Sequence, residues 1–480
     1  MWIYVLYGFL AIIVILLAII LIRALAFKPL ETSSVNEEEI VFDKVKAVTN
    51  LQELIKFKTV SNLDSTLEDE NEFQGFINKL PELYPLVFQS CELKKFNGRA
   101  LLFKWKGKNS DKPSVMMSHY DVVPVNQDLW SVPAFDGLIK DGVLYGRGVV
   151  DTKVTFNAVM TSVNHLISEG FVPDSDVYLA FSGGEEINGE GALNIVNYFK
   201  EQGITPELVV DEGGGVVENV FPGVKLPCGV VGIAEKGMMV VEYVNSSNGG
   251  HASAPKPHTP VGKLAKACVN VENKPFKMHL TTPVKKMFNV LGRHSTFLYR
   301  VIFANLWAFG WVIDLLGKMQ GGEINALVRT TVAFTQMEGS KAQNVIPAKA
   351  KMVSNIRLNP CDTIESATEY LKKTVNNDEI DLNVIMGVNP SRISETNCDG
   401  YKKVENAISS TWKGCVVAPY LMVQCSDSRH YGAITDKVYR FSACDLTSEE
   451  RAGVHGIDEH LRIEAIERSV EFYLRLLKQC

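Results

Sequence analysis

The residues of this chain that could do chemistry fall in five short segments. Residues 118–121 read Ser-His-Tyr-Asp directly after an apolar run at 115–117. In extended backbone His119 and Asp121 project to the same side. The Asp121 carboxylate can then accept a proton from one imidazole nitrogen and leave the other free for a metal. Residues 145–153, YGRGVVDTK, set Asp151 just ahead of a helical stretch, with glycines that let backbone approach closely. Residues 182–191, SGGEEINGEG, follow a second apolar run and pair Glu185 with Glu186. Such paired carboxylates repel each other and are costly unless a cation or a shared proton relieves them. The run 209–215, VVDEGGG, again sets carboxylates at the end of an apolar run, and 453–459, GVHGIDE, sets His455 in a loop before the last helix. Each segment alone has an ordinary structural explanation, such as a strand-end histidine bonded to a turn aspartate or an aspartate capping a helix. Together they gather two histidines and several carboxylates without a thiolate. Two His with three Asp or Glu is the ligand set of a dinuclear zinc-type hydrolase with a bridging carboxylate. Spacing leaves open which of Glu185 and Glu186 binds metal, and it leaves His430 as a rival to His455.

These residues must be carried to one place, and the pattern around them indicates how. Apolar runs at 115–118, 177–181 and 208–210 alternate with helical stretches at 155–168 and 192–201. That order predicts an α/β domain with a mostly parallel sheet covered on both faces, with its chemistry at the carboxyl ends of the strands. From Lys236 the order becomes strand (238–244), helix (261–271), two strands (324–337 and 348–358), helix (364–375) and strand (380–385). This β-α-β-β-α-β order is ferredoxin-like and predicts an inserted α+β domain. Residues 401–480 return to mixed helix and strand and end in an amphipathic helix. The expected division is a catalytic domain at 40–236 and 391–480, interrupted by a second domain at 237–390. With 480 residues, the chain is too long for a single core.

A composition of 46% hydrophobic and 22% charged residues is that of a folded globular protein and excludes a largely disordered, collagen-like or coiled-coil chain. Lysine and arginine total 49 against 55 acidic residues, a net charge of −6 that does not favour a nucleic-acid partner. The nine cysteines are scattered without a CxxC pair, which makes neither a disulfide framework nor a thiolate zinc site and favours a reducing compartment. Two apolar concentrations remain. Residues 2–22 are uncharged and mostly apolar, about the ~20 residues a spanning helix needs, which predicts a single-pass membrane anchor within 1–29. The run is longer than the apolar part of a signal peptide and no Lys or Arg precedes it; a cleaved signal peptide ending near Ala24-Leu25-Ala26 is the alternative. Arg23 and Lys28 would place the chain that follows in the cytoplasm, and 30–39 reads as a polar linker. The second concentration, 296–316, lies in an insertion at 283–322 that breaks the ferredoxin-like pattern. Arg300 and Asp314 disfavour a spanning helix there. What remains is a buried helix, or an apolar surface for a greasy substrate or the membrane interface.

In chain order, SHYDVVP, then Trp130, Phe135 and Gly137 as W-x-x-x-x-F-x-G, then DGVLYGRGVVDTK, SGGEEINGEGA, VVDEGG, GGHASAP, NVIP, SDSRHY and GVHGIDE resemble the M20 metallopeptidase family. The similarity is greatest to its branch of carboxypeptidase S and the N-fatty-acyl-amino-acid hydrolase/synthase, and it covers about 45–480. The resemblance implies a zinc-peptidase-like catalytic domain, an inserted lid or dimerisation domain, and two Zn2+ ions, with Co2+ or Mn2+ as alternatives. His119 and Asp211 would bind one ion, Glu186 and His455 the other, and Asp151 would bridge them. Asp121 would orient His119, and Glu185 would be the general base and acid. His251 would be a second donor to the oxyanion, a histidine that comes from the neighbouring subunit in dimeric relatives. Arg357 would bind the substrate carboxylate and Asn344 would touch the substrate. His430 falls in SDSRHY, which leaves His455 as the ligand. The implied activity is hydrolysis of the amide beside a free-carboxylate amino acid, of carboxypeptidase or dipeptidase type. An N-fatty-acyl-amino-acid amidohydrolase or synthase acting on lipid-like substrates is the alternative. A membrane-tethered binding protein without catalysis is a reading of another class, disfavoured by the complete ligand set. The implied partners are a small peptide or N-acyl amino acid, the membrane, and a second copy of the chain through the inserted domain.

Overall fold

The structure is a computed structural model and describes residues 2–29, 38–218 and 221–480. The linker expected at 30–39 lies mostly outside the described residues. The larger core is built on eight strands: β1 (Glu92–Phe96), β2 (Ala100–Trp105), β3 (Asn109–His119), β4 (Ser175–Ser182), β5 (Leu208–Val217), β6 (Cys228–Glu235), β11 (Val416–Met422) and β12 (Val438–Asp445). Four strands between β6 and β11 in the chain, β7 (Gly237–Ser246), β8 (Thr331–Glu338), β9 (Lys349–Leu358) and β10 (Ile380–Val388), form a separate sheet.

The eight-stranded sheet has the order β1-β2-β4-β3-β5-β12-β6-β11. β3 runs parallel to both β4 and β5, β5 to β12, and β6 to β11. β1 with β2, β2 with β4, and β5 with β6 are antiparallel, so the sheet is mixed where the sequence pattern predicts a mostly parallel one. The cause is local in the first pair. Phe96 and Ala100 face each other across a three-residue turn, too short for the crossover a parallel pair requires. Every residue of β4 is buried, as expected of a strand covered on both faces. Val177, Leu179 and Phe181 pack with the helices Val154–Ser168 and Ile463–Leu477, while Tyr178 and Ala180 pack with Gly191–Glu201 on the other side.

The second sheet is antiparallel in the order β8-β9-β7-β10. The helices Pro260–Glu272 and Ile364–Val375 cover it and share a core with Met239, Val241, Tyr243 and Ile356. The strand expected at 324–337 begins only at Thr331, because Gly322–Val328 is a helix.

Every element of the insertion between Pro260–Glu272 and β8 is a helix, the first beginning at Thr282. With α1 (Trp2–Ala26) it is written α2 (Thr282–His294), α3 (Phe297–Ala304), α4 (Leu306–Gln320) and α5 (Gly322–Val328). The apolar run at 296–316 is therefore two helices, bent by 111° at Asn305. The Asn305 side chain occupies that break by donating to the Ile20 and Val301 carbonyls and accepting from Arg23 Nε at 3.1 Å. α1 is long and apolar enough to cross a membrane, and Ala24 is its only buried residue.

Candidate metal centre

β3 is parallel to β4 and β5, so the carboxyl ends of the three strands bring their following residues together. His119 is the last residue of β3, Glu185 and Glu186 lie in the turn after β4, and Asp211 and Glu212 lie within β5. Asp151 comes from the segment after Gly148. Gly148 has φ +80 and sits where a Cβ would fall 2.3 Å from Val122 Cγ1, so only glycine fits this close left-handed turn. The peptide bond Asp151–Thr152 is cis. His455 enters from the loop between Ser448–Gly453 and the strand His460–Arg462 that leads into the last helix, Ile463–Leu477.

Asp151 stands between the two histidines. Its Oδ1 lies 3.0 Å from His119 Nε2 and its Oδ2 lies 3.1 Å from His455 Nε2. Glu186 Oε1 is 3.1 Å from His455 Nε2, and Glu212 Oε1 is 3.3 Å from His119 Nε2. Two overlapping triads, His119–Glu185–Glu212 and His119–Asp151–Glu186, each hold their ligand atoms within 4.8 Å of one another. Behind them Asp121 is fully buried. Its carboxylate accepts from Ser61 Oγ at 2.7 Å and from the Glu185 and Glu186 N–H groups at 3.1 and 3.2 Å. His119 Nδ1 lies 3.0 Å from the Asp121 carbonyl and 3.4 Å from its Oδ1. Asp121 thus fixes both the imidazole of His119 and the backbone that carries the paired glutamates.

The electrostatics fit a cation. Burial, reinforced by Asp151 and Asp211, pushes Glu212 up to about 8. Burial and the carboxylates of Glu212, Asp427 and Glu186 hold Glu185 well above the usual range. Burial and the Asp427 carboxylate raise Asp211 to about 6. Burial opposes protonation of His119, but Glu212, Asp121 and Asp151 outweigh it and raise the imidazole. Hydrogen bonds that His455 donates to Asp151 and Glu186 push its imidazole up to about 10. Crowded carboxylates and imidazoles that lean on shared protons are what a divalent cation replaces, and this nitrogen and oxygen donor set suits one.

The structure brings His119, Asp151, Glu185, Glu186 and His455 together, with Asp121 behind them. Asp211, which the resemblance gives to the first ion, is buried with its Oδ2 accepting from the Ser428 N–H at 3.0 Å. Its neighbour Glu212 is the residue that faces His119, since successive residues of a strand point to opposite faces. Arg357, in β9, lines the cavity that contains the cluster, with Nη1 3.5 Å from Cys425 Sγ. His251 is exposed and its Nδ1 pairs with Ser253, while the Asn344 carbonyl accepts from the Ala252 N–H. His430 does not join the cluster, and burial, with Arg429 and Lys200 adding, lowers it to about 4.

Two further contributors carry no role in the sequence reading. Glu459 is fully buried and accepts from Arg147 Nη1 at 2.7 Å, from the Gly148 and Val150 N–H groups at 2.8 Å, and from Asp151 N–H at 3.2 Å. It clamps the segment that presents Asp151. Its place in GVHGIDE, four residues after His455, was the one signal available. Asp427, in SDSRHY, accepts from Ser182 Oγ at 2.5 Å and is held up by burial.

Comparison with known proteins identifies the family and the fold. The pattern of Peptidase family M20/M25/M40 matches residues 115–479. A Dictyostelium discoideum protein, probable carboxypeptidase S-like 2, is 33% identical over 442 residues, covering 90% of this chain and 85% of that protein. The Xenopus tropicalis N-fatty-acyl-amino acid synthase/hydrolase PM20D1 is 32% identical over 488 residues, covering 98% and 94%. Among solved structures, the M20 family metallo-carboxypeptidase Sso-CP2 from Sulfolobus solfataricus superposes with a TM-score of 0.66 at 19% identity, covering 92% of this chain and 99% of that one. Human carnosine dipeptidase 1 superposes with a TM-score of 0.62 at 13% identity, covering 91% and 97%. The fold is that of the M20 peptidases, and the chain belongs to peptidase family M20/M25/M40 as an enzyme of its metallopeptidase, carboxypeptidase-like kind.

Proposed function

We propose that this chain is a dinuclear metal-dependent amidohydrolase that cleaves the amide between an apolar acyl group and an amino acid with a free carboxylate. The observation that carries this reading is one continuous cavity of about 900 Å³. It contains Glu185, Glu186, Glu212 and His455, and it is also lined by Leu291, Phe303, Ile313 and Leu327 of the helical insertion. That volume is near the top of the ~300–1,000 Å³ range of small-molecule sites, with few polar groups on a largely apolar wall. The name of the Xenopus tropicalis relative, an N-fatty-acyl-amino acid synthase/hydrolase, supports the same substrate class. A second reading, a carboxypeptidase or dipeptidase acting on peptides with an apolar residue beside the scissile amide, is favoured by the name of the Dictyostelium relative.

In this reading His119 and Glu212 would hold one cation and Glu186 and His455 the other, and Asp151, which stands between the two histidines, would serve both. Glu212 replaces Asp211 in that role because its carboxylate is the one facing His119. Zinc, cobalt or manganese suits the donor set, and when bound it would polarise the amide carbonyl and acidify a water. Glu185 takes the proton of the attacking water on its carboxylate and passes it to the leaving nitrogen. Glu185 lines the same cavity as the cluster and stands in the triad with His119 and Glu212. Asp121 keeps Glu185 in place through the Glu185 N–H. Arg357, which lines the cavity, pairs with the free carboxylate of the amino acid. Asn344, beside the exposed His251 segment, keeps the substrate contact that the family resemblance gives it. We assign to the exposed His251 the oxyanion hydrogen bond in a second copy of the chain. Residues 40–236 and 391–480 act as the catalytic domain and 237–390 as the lid, while α1 anchors the enzyme with its body in the cytoplasm.

The test is hydrolysis of acetyl, octanoyl and oleoyl derivatives of one amino acid, beside dipeptides, with metal restored after chelation. Rates that climb with chain length are expected, since each buried methylene is worth about 0.8 kcal/mol. A clear preference for acetyl derivatives or dipeptides would refute the acyl reading.

A further inference from the structure

We propose that the α3–α4 elbow is a second, in-plane membrane contact on the bilayer that α1 crosses, and that the apolar end of the cavity opens there, so an acyl chain enters from lipid. This rests on the acyl and anchor readings above and adds to them a surface and a route.

The first observation is that α4 is apolar on two faces. Val312, Ile313 and Leu316 line the cavity. Trp307, Trp311, Leu315 and Met319, one every fourth residue, form a stripe exposed by 60, 65, 47 and 74%. The i, i+4 spacing puts these four on one side of the helix. A helix that is apolar all round belongs inside a core or in a bilayer, and this one is covered by protein on one side only. The charges nearby do not turn the stripe polar, because Asp314 pairs with Arg329 and Lys318.

The second observation fixes the depth. The elbow is bolted to the end of α1: Arg23 Nη2 donates to the Ala304 carbonyl at 2.9 Å and Asn305 Nδ2 donates to the Ile20 carbonyl at 3.1 Å, while next to it the Arg293 guanidinium of α2 lies 4.5 Å from the ring of Phe27, the residue after α1. At 1.5 Å per residue, the uncharged part of α1 up to about Leu21 spans ~30 Å, the thickness of the hydrocarbon layer. Ile20 and Arg23 therefore sit at one boundary of that layer, and so does the elbow. α3 and α4 have 8 and 15 residues and a 111° bend between them. Neither reaches ~30 Å, so they lie in the boundary and do not cross it. Tryptophan is the side chain most at home at that depth, and the stripe begins with two.

The third observation concerns the opening. Tyr299 and Leu316 each line the cavity and are also exposed, by 37 and 38%. They stand where the inner wall of the elbow meets its outer stripe. The occupant of the stripe is taken to be a bilayer because the stripe continues the exposed apolar surface of α1. A second copy of the chain is the competing occupant.

The experiment uses the full-length, metal-loaded chain in phosphatidylcholine vesicles whose acyl chains are brominated near the headgroup. Trp2→Phe removes the one other tryptophan of α1, and Trp105, Trp130 and Trp412 are buried in the body. In that background bromolipid is expected to quench tryptophan emission, and Trp307→Phe with Trp311→Phe to abolish the quenching. Unquenched emission that yields to aqueous acrylamide overturns the proposal. So does a vesicle-bound dimer whose formation requires the same two tryptophans. The entry route is read with Trp311→Glu and Leu315→Glu together. Turnover of an oleoyl amino acid embedded in the vesicles is expected to fall about tenfold, while an octanoyl amino acid supplied from water is hydrolysed as before. Equal rates for both chains on the embedded substrate overturn the route. If the wild-type chain hydrolyses neither substrate, the acyl reading fails, whatever the quenching shows.

Discussion

Glu459 reaches the residues assigned to metal only through the backbone N–H of Asp151, yet the metal centre should depend on it. Its carboxylate is fully buried and holds Arg147, which is 3% exposed, at 2.7 Å. Three backbone N–H groups, those of Gly148, Val150 and Asp151, end on the same two oxygens. Glu459→Ala strands a buried guanidinium, a change that costs about 3–5 kcal/mol when one partner of a buried pair is removed. It also leaves three donors without an acceptor, at roughly 1–3 kcal/mol each if none found another. Arg147 keeps the Gly456 carbonyl at 2.6 Å and the Trp130 ring at 5.2 Å, so its share belongs near the lower end, about 3 kcal/mol, and any N–H left unpaired adds to it. The Asp151 N–H loses its anchor, so metal affinity should fall about 10–100-fold, the usual effect of removing a group that orients a ligand. Urea unfolding of the detergent-solubilised, metal-free chain reads the first quantity, and competition with a chelator reads the second. A loss under about 1 kcal/mol with unchanged metal affinity would refute the assignment of Glu459 as the clamp of Asp151.

Other substitutions separate the remaining roles. Glu185→Gln should lower turnover by about 10²–10⁴-fold while metal content by atomic spectroscopy stays at the wild-type level. Loss of metal would instead make Glu185 a ligand, as the His119–Glu185–Glu212 triad allows. Glu212→Gln should weaken metal binding more than Asp211→Asn in equilibrium dialysis, and the reverse order would return the ligand role to Asp211. Burial, with Arg357 adding, lowers the Lys236 ammonium from 10.5 to about 7, and its Nζ donates to the Ala326 and Arg329 carbonyls. The unfolded chain keeps that proton up to about 10.5, so between about pH 7 and 10.5 it binds more protons than the folded one. Folded-state stability should therefore rise with pH across that window, with the full penalty present below it. Lys236→Met should remove the rise in urea midpoints, and identical pH profiles for the two chains would count against it.

Within the candidate site, the residues that sit where parallel strands end were legible. His119, Glu185 and Glu186 follow apolar runs that became β3 and β4, and the loop glycines around Asp151 announced a close turn. Asp211 and Glu212 were not separable, because they are adjacent in one strand. Which of them faces inward depends on registry with β3 and β12, and the latter pairing shifts between Arg440 and Phe441. The β-α-β-β-α-β order could be read from alternation, but the helix Gly322–Val328 could not be told from a strand over so short an apolar run. The break at Asn305 has neither proline nor glycine to mark it. It is held by Ile20 and Arg23, residues almost 300 positions away, so no local pattern could reveal it. Glu459 has the same character, since its partners lie in a segment about 310 residues earlier.

The central claim is that His119, Asp151, Glu186, Glu212 and His455 hold two cations that, with Glu185, hydrolyse N-acyl amino acids. Titrating zinc into the chelator-stripped, full-length chain while following both bound metal and hydrolysis of an oleoyl amino acid tests it most directly. The account requires two ions per chain, no turnover at zero occupancy, and activity that rises as the pair of sites fills. Full hydrolysis by the metal-free chain, or saturation at a single ion, would contradict it.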